Sequence, residues 1–279
     1  MSAAAPDLAR HPLTRWTGPL GLPDFSALAD ADFAPVFDAA LAAHAAEIAA
    51  IAENADAATV ENTLQALELS GEALDRVSAI FWCRAGAHTN KDIQALEREI
   101  APKMSRHFSA IHMNAALFAR IDALYQAREA LGLDAETVRV LEKTWKRFVK
   151  AGAKLDTILI PKVGTPAGKA RLAAINERLA SLGAAFGQNV LADEAGWVLY
   201  LDAGDDLAGL PAFLTDAMAE AAAARGEAGR YAVTLSRSIV EPFLSFSTRR
   251  DLREKVFAAF TKRGENGGET DNGAVVKET

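Results

Sequence analysis

The sequence predicts a mainly α-helical protein with one small two-stranded β element, and three observations support that prediction. Alanine, the strongest helix former and a poor strand former, supplies 60 of the 279 residues. Ten prolines interrupt the chain, and apolar residues recur every three or four positions over most of it. Only two short runs are rich in β-branched and aromatic residues, so strands are expected only there.

Residues 1–35 are predicted to form an extended N-terminal arm. Helix breakers are frequent there, among them Pro12, Pro19, Pro23 and Pro35. Large apolar residues are interleaved with these breakers: Trp16, Leu20, Leu22 and Phe25. The pattern is typical of a segment that lies across a helical body and is anchored by its aromatic side chains.

A helical domain is predicted over residues 36–193, joined by short connections that favour antiparallel packing. Good N-caps mark its helix starts at Thr59, at Thr89 or Asn90, and at Asp134. Thr165 followed by Pro166 is a further start, and Gly132 is a typical helix stop. The expected helices include residues 34–52, 59–86 and 115–131, and a well-defined apolar stripe runs from Leu172 to Val190.

Residues 194–279 are predicted to form a helical region that contains both strands. The strands are expected at Trp197–Leu201 and Tyr231–Leu235, flanking a helix at Pro211–Arg225. A helix near Ser247–Lys262 precedes a polar loop at residues 264–272, and residues 274–279 resemble the first turns of another helix. This ending favours a truncated chain, with an exposed apolar patch at Phe257, Phe260, Val275 and Val276.

Charge and composition narrow the functional classes. Proteins that bind nucleic acid usually neutralise its phosphates with an excess of Lys and Arg. This chain has a net charge of −7 and a pI near 5.4, so no nucleic-acid partner is expected. No run of 18 uncharged apolar residues and no secretory signal are visible, so neither a membrane partner nor secretion is expected. A single cysteine excludes a disulfide framework and a Cys-rich zinc site, which fits a cytoplasmic protein.

The residues reveal no catalytic or metal-binding constellation. His107 and His112 are five positions apart and point in different directions, so they are interpreted as ordinary, partly buried histidines. His44 and Glu47 have a spacing that suits a metal ion, but a solvated helix face is the preferred interpretation. Cys83 next to Arg84 is interpreted as a small buried hydrophobic residue rather than a reactive thiol. The polar loop lacks the spacing of a calcium loop.

Several blocks of the chain nevertheless resemble the thimet-oligopeptidase family of zinc metallopeptidases, especially its peptidyl-dipeptidase and oligopeptidase A types. The most specific block begins at Thr59-Val60-Glu61-Asn62-Thr63 and continues to Arg76-Val77. The other blocks, in family order, are His11–Phe25, Phe33–Leu41, Ala85–Asn90, Ala151–Leu155 and Ser247–Lys255.

The resemblance implies the N-terminal lobe of a two-lobed helical peptidase that hydrolyses short peptides in a channel between the lobes. The family's zinc site, a His-Glu-x-x-His helix with a distant Glu, belongs to its C-terminal half, and no position of this sequence corresponds to it. The resemblance therefore implies zinc bound outside this chain, short peptides as substrates, the missing catalytic half as partner, and no activity for the chain alone.

Two stretches depart from the family pattern: an apparent insertion at residues 156–164, and Trp82-Cys83-Arg84 in place of a more apolar or amide-bearing stretch. A second hypothesis stays open, in which the chain is a stand-alone helical module that binds peptides or a partner helix without catalysis.

Overall fold

The computed structural model describes residues 5–155 and 166–279, and it is 68% helical. The chain divides into two compact units, Met1–Ser181 and Leu182–Thr279, with the boundary inside a long helix. Each unit has its own core. The mainly α-helical class predicted from alanine content and apolar periodicity is confirmed.

The first unit is a set of packed helices. Its helices are α1 (Phe33–Ala52), α2 (Ala66–Leu69), α3 (Glu72–Ala87), α4 (Lys91–His112), α5 (Ala115–Ala127) and α6 (Ala135–Lys150). The start of α7 (Pro166–Gly196) also belongs to it. The predicted caps are confirmed, since the side chains of Thr59, Asn90 and Asp134 accept hydrogen bonds from backbone amides of the following turn. The cap predicted at Thr165 lies outside the described residues.

Two apolar clusters form the core of the first unit. One joins α1, α3 and α4 around Phe33, Phe37 and Phe81, whose rings meet edge to face. The other joins α1, α5 and α6 around residues such as Ile121, Leu141 and Phe148. The helices from α1 to α6 are therefore fixed by apolar contacts on both halves of α1.

The helix expected over residues 59–86 is interrupted, which corrects the sequence prediction. A π-helical turn at Val60–Gln65 leads into α2, and Ser70 and Gly71 then separate α2 from α3. Gly71 has φ +82°, and a Cβ there would lie 2.9 Å from the ring of His44. The break is therefore built around a glycine that both turns the chain and makes room for a histidine of α1.

The predicted helix 115–131 ends earlier than expected, at Ala127. Arg128 donates from Nη1 to the Tyr125 carbonyl at 2.6 Å, and its guanidinium lies 4.2 Å from the centre of the Tyr125 ring. These contacts close the last turn of α5, and Gly132 turns the chain afterwards with φ +63°.

Residues 5–32 consist of turns and short 3-10 helical segments at Pro19–Gly21, Phe25–Ala27 and Asp30–Asp32. Leu13 and Leu28 are buried in the first core cluster, and Trp16 packs against it. Anchoring by Trp16 is therefore confirmed, whereas Phe25 is 53% exposed.

The second unit packs helices against a two-stranded antiparallel sheet. The strands are β1 (Val198–Leu201) and β2 (Tyr231–Thr234), paired so that Val198 faces Thr234 and Leu201 faces Tyr231. The helices, besides the end of α7, are α8 (Ala212–Ala223), α9 (Arg237–Phe246), α10 (Arg250–Thr261) and α11 (Gly273–Glu278). Leu214, Met218, Val240, Phe243 and Val256 are among the residues of its core. Both predicted strands and their pairing are confirmed.

The polar loop between α10 and α11 is held to the end of α7. The Asp193 carboxylate accepts from the Gly264 amide at 2.7 Å, from Asn266 Nδ2 at 2.8 Å and from the Thr270 hydroxyl. These hydrogen bonds lower the pKa of Asp193, led by the one from Thr270. The interpretation of residues 264–272 as a capped loop agrees with this arrangement.

The apolar side chains near the end of the chain are exposed in part. Phe257 and Val276 are exposed, whereas Phe260 and Val275 are half-buried. The predicted exposure is therefore confirmed for Phe257 and Val276, and Phe260 and Val275 keep part of their surface exposed. The apparent insertion at 156–164 lies outside the described residues.

One helical stretch in the part of the chain that the structure describes, Asp30–Ala52, is long and apolar enough to cross a bilayer. Buried core helices meet the same criterion, and α1 buries Phe33, Val36, Phe37, Ala40, Ile48 and Ile51 in the first unit.

Candidate functional site

Two of the five histidines, His44 and His112, line one cleft of about 180 Å³ in the first unit, and His107 contacts His44 beside it. His44 comes from α1, and His107 and His112 come from α4. Ser70, between α2 and α3, and Arg147 of α6 also line the cleft. This histidine cleft is the candidate functional site.

His44 is buried, which corrects its interpretation as part of a solvated helix face. It lies on the side of α1 that meets the α2–α3 junction, and only 8% of the residue is exposed. Glu47, one turn further along α1, accepts a hydrogen bond of 2.7 Å from the Gly71 amide. The residue pair that suggested a metal site instead fastens α1 to the junction.

His44 is bonded through both ring nitrogens. Its Nε2 lies 3.2 Å from Ser70 Oγ, and its Nδ1 lies 3.0 Å from His107 Nε2. Ser70 Oγ also donates its proton to the Leu67 carbonyl at 2.7 Å. Because a hydroxyl has one proton, Ser70 accepts from His44, and the His44 Nδ1 lone pair accepts from His107. This assignment satisfies all three groups with both imidazoles neutral.

Burial lowers the pKa of His44, His107 and His112. For His44 burial is the main cause, opposed by the negative charges of Glu47 and Asp75. For His107 burial acts together with repulsion from His44, and for His112 with repulsion from Arg147. All three rings therefore favour the neutral form near pH 7.

The arrangement Ser70–His44–His107 has the outline of a nucleophile, a base and an orienting group, but not the required proton assignment. A base must accept the hydroxyl proton, whereas the Ser70 proton is committed to the Leu67 carbonyl that ends α2. These hydrogen bonds therefore stabilise the fold and do not form a catalytic group. They close the break between α2 and α3 and join it to α1 and α4.

Metal binding also lacks the necessary ligands in this cleft. Across residues 5–155 and 166–279, no group of three or more His, Cys, Asp or Glu side chains is placed to hold a metal ion. His107 and His112 are partly buried, as the sequence indicated. His11 and His88 lie in neither the cleft nor a metal cluster.

Cys83 is exposed, and its interpretation as a buried hydrophobic residue is wrong. On α3 the buried face is formed by Leu74, Val77 and Phe81. Cys83 lies two positions after Phe81 and so projects from the opposite side of the helix. The spacing of Cys83 from Leu74, Val77 and Phe81 was therefore enough to place it outside the apolar stripe of α3.

Sequence reasoning missed Ser70 and Gly71 as partners of His44. Serine followed by glycine inside an apolar stripe is a recognisable breaker signal, but only the fold shows that the break receives a histidine. Arg120 was also missed. Its guanidinium donates to the carbonyls of Asn54 and Asp56 and to the side chains of Asn62 and Thr63, and so organises the segment before α2.

Comparison with known proteins finds extended similarity. The chain is 36% identical over 265 residues to a dipeptidyl carboxypeptidase of Escherichia coli K12, which covers 95% of this chain and 38% of that protein. It is 36% identical to the dipeptidyl carboxypeptidase of Salmonella typhimurium, over 93% of this chain and 37% of that protein. An oligopeptidase A of Salmonella typhimurium is 24% identical to this chain, in a match that covers 92% of this chain and 37% of that protein. No protein-family model matches the chain.

The chain therefore spans somewhat more than a third of the length of the curated relatives that it matches. Almost all of it takes part in each of these three matches, so the similarity includes both compact units.

Proposed function

We propose that this chain is the N-terminal portion of a peptidase of the thimet-oligopeptidase family that hydrolyses short peptides, because it is similar along almost its whole length to dipeptidyl carboxypeptidases and oligopeptidases A. The observation that carries the proposal is 36% identity along 95% of the chain with a dipeptidyl carboxypeptidase. Identity at that level over two units of different architecture favours descent from one parent protein rather than a shared helical pattern.

In this proposal the catalytic zinc and its ligands lie in the part of the relatives that the chain does not match. The described residues offer no group of three metal-ligating side chains, so they do not fit the zinc site. The role proposed for this chain is to form one wall of the peptide channel and limit access to short substrates. The chain alone is expected to be inactive.

The charge of the chain and the burial of α1 also bear on its location and partners. We propose a cytoplasmic protein with no nucleic-acid and no membrane partner, because the net charge is −7 and α1 buries its large apolar side chains in a core. The partners are short peptides, as substrates, and the catalytic half.

The deciding experiment is to read the gene beyond the codon for Thr279 and to express the complete reading frame. We expect the frame to continue to a His-Glu-x-x-His sequence, and the longer product to release dipeptides or internal fragments from a blocked peptide. A chelator should abolish that activity. The 279-residue chain, purified separately, should hold no stoichiometric zinc after dialysis and should not cleave the same peptide.

A stop codon directly after Thr279 would contradict the proposal and favour the competing hypothesis of a stand-alone binding module. Chelator-sensitive cleavage by the pure 279-residue chain would contradict the assignment of the catalytic residues to the unmatched part.

A further inference from the structure

The histidine cleft is lined by charged side chains of both signs that do not pair with one another. Arg147 of α6 lines it, and so do Glu68 of α2 and Asp75 of α3. Among the described residues, none of these three side chains takes part in an ion pair or a hydrogen bond. One guanidinium and two carboxylates therefore share a small space, and their charges are not compensated within it.

A buried hydroxyl of the same cleft also lacks a hydrogen-bond partner. Thr144 lies one turn before Arg147 on α6 and lines the cleft, and only 3% of the residue is exposed. Its hydroxyl makes no hydrogen bond to any residue that the structure describes. Because a buried hydroxyl without a partner is unfavourable, this group is placed to meet whatever occupies the cleft.

The positive and negative groups have different histidine neighbours. Arg147 lies close enough to His112 to lower the pKa of that ring by repulsion, and the His112 ring packs on Phe148 at 5.1 Å. Asp75 acts on the other ring of the cleft, since its negative charge opposes the lowering of the His44 pKa. A ligand that satisfies both signs must therefore carry a negative group towards α6 and a positive group towards α3.

The volume of the cleft suits one small molecule. It is about 180 Å³, and at about 30 Å³ for each water of the liquid it holds about six waters. A single amino acid of medium size fits such a space, whereas a peptide of several residues does not. Phe108, Ile111 and Phe148 supply apolar lining, which favours an apolar side chain on the ligand.

We propose that the histidine cleft binds a free α-amino acid with an apolar side chain, in its zwitterionic form. The carboxylate lies against the Arg147 guanidinium and accepts a hydrogen bond from the Thr144 hydroxyl. The ammonium group lies against the carboxylates of Glu68 and Asp75. Each contact joins a group of the chain that has no partner to a ligand group of complementary chemistry. The hydrogen bonds of His44 stay as they are, because both of its ring nitrogens are already bonded.

This inference assigns a ligand to the first unit and does not depend on the proposed function. Binding breaks no bond and requires no zinc. Its failure would leave the family assignment and the downstream reading frame untouched, and a stop codon after Thr279 would leave the binding proposal untouched.

The test is isothermal titration calorimetry of the 279-residue chain near pH 7 with three matched ligands. They are L-leucine, 4-methylpentanoate, which is leucine without its ammonium group, and 3-methylbutylamine, which is leucine without its carboxylate. We expect saturable binding of L-leucine and at least tenfold weaker binding of the other two, since each analogue leaves one set of charges uncompensated. The midpoint of thermal unfolding should rise with the concentration of L-leucine, because the cleft exists only in the folded chain.

Variants of the chain then locate the site. Arg147→Gln should weaken the binding of L-leucine at least tenfold and leave that of 3-methylbutylamine unchanged. Thr144→Val removes the hydroxyl at nearly constant volume, and we expect at least threefold weaker binding without a loss of thermal stability. The matched control is Lys150→Gln, which removes one positive charge from an exposed position of α6 outside the cleft. It should bind L-leucine like the parent chain, and circular dichroism should show that all variants keep their helical content.

Any one of four results would overturn the proposal. The first is the absence of saturable binding by L-leucine. The second is equally tight binding of 4-methylpentanoate, which would reduce the cleft to a site for an anion alone. The others are an unchanged affinity for L-leucine in Arg147→Gln and an equal loss of affinity in Lys150→Gln.

Discussion

The His44 Nδ1 atom lies 3.0 Å from the His107 Nε2 atom, and this contact joins α1 to α4. A hydrogen bond between two imidazoles requires one nitrogen to donate and the other to accept. Protonation of both imidazoles to imidazolium therefore removes the hydrogen bond and places two positive charges in contact. The stability of the first unit should depend on the neutral state of this pair.

The first prediction concerns pH. Burial lowers the pKa of His44, His107 and His112 in the folded state, so the unfolded chain binds more protons as the pH falls. The contribution of these groups is fully present above about pH 6.5, the unfolded value, and is lost as the pH falls towards the folded values. We expect the free energy of unfolding, from urea titrations, to decrease between pH 7.5 and pH 5.

The variant His107→Gln isolates the pair, because a glutamine amide still donates towards His44 but does not titrate. We expect a shallower pH dependence in this variant than in the parent chain over the same range. An unchanged dependence would show that the pair does not contribute to it.

The second prediction concerns Gly71. Alanine there would combine φ +82° with a Cβ 2.9 Å from the His44 ring, and we expect a loss of about 1–3 kcal/mol in the free energy of unfolding. Gly86→Ala is the matched control, since Gly86 lies inside α3 with no atom within 4 Å of the added Cβ. The control should be neutral or up to about 1 kcal/mol more stable. Equal effects of the two substitutions would contradict this account.

The third prediction concerns the contact between α5 and α6. Trp145 Nε1 donates to Asp122 Oδ1 at 2.6 Å, and Lys154 Nζ lies 3.3 Å from the same oxygen. Burial alone raises the pKa of Asp122, but the hydrogen bonds from Trp145 and Lys154 outweigh it and lower the pKa. A double-mutant cycle with Asp122→Ala and Trp145→Phe should give a coupling free energy of about 0.5–3 kcal/mol.

Phenylalanine keeps the apolar contact with Tyr125, whose ring stacks on Trp145 at 4.1 Å, so the cycle measures the polar contact. Additive effects of the two substitutions would show that the hydrogen bond contributes nothing to stability.

The fourth prediction concerns Arg120. Its guanidinium makes four hydrogen bonds, to the carbonyls of Asn54 and Asp56 and to the side chains of Asn62 and Thr63. Lysine cannot reproduce this planar fork, so Arg120→Lys should lower the free energy of unfolding by about 1.5–3 kcal/mol. Hydrogen exchange should accelerate over residues 53–62.

The control for this prediction is Arg139→Lys. Arg139 is exposed, and its guanidinium lies 3.7 Å from the Glu142 carboxylate, so the change should stay within about 0.5 kcal/mol. A similar loss in both variants would place the effect outside the Arg120 network.

Apolar periodicity predicted most of the helices, because a helix that buries one face leaves a repeat in the sequence, and β-branched and aromatic composition predicted both strands. Burial of His44 left no such signal. Alanine occupies many positions around α1, so the apolar contrast between its faces is weak, and the partner of His44 lies 26 positions away at Ser70. The break at Gly71 was hidden for a related reason, since the apolar spacing continues across it.

Polar contacts between distant positions were the least predictable features. Arg120 meets residues 57–66 positions away, and nothing in its local sequence distinguishes it from a surface arginine. The pocket between β1 and α10, lined by Trp197, Leu199 and Ala259, likewise depends on how α10 approaches β1, which is a consequence of packing around Phe243 and Val256 rather than of either element alone.

The exposed thiol of Cys83 makes the chain suited to site-specific labelling. The sequence has one cysteine, and it lies on the outer side of α3, a helix anchored in a buried core. A maleimide dye or a nitroxide spin label can therefore be attached at one rigid position without mutagenesis. A second label on a peptide or on a separately expressed catalytic half would then report distances within an assembled complex. The same thiol calls for a reducing agent during storage, because oxidation would couple two copies covalently.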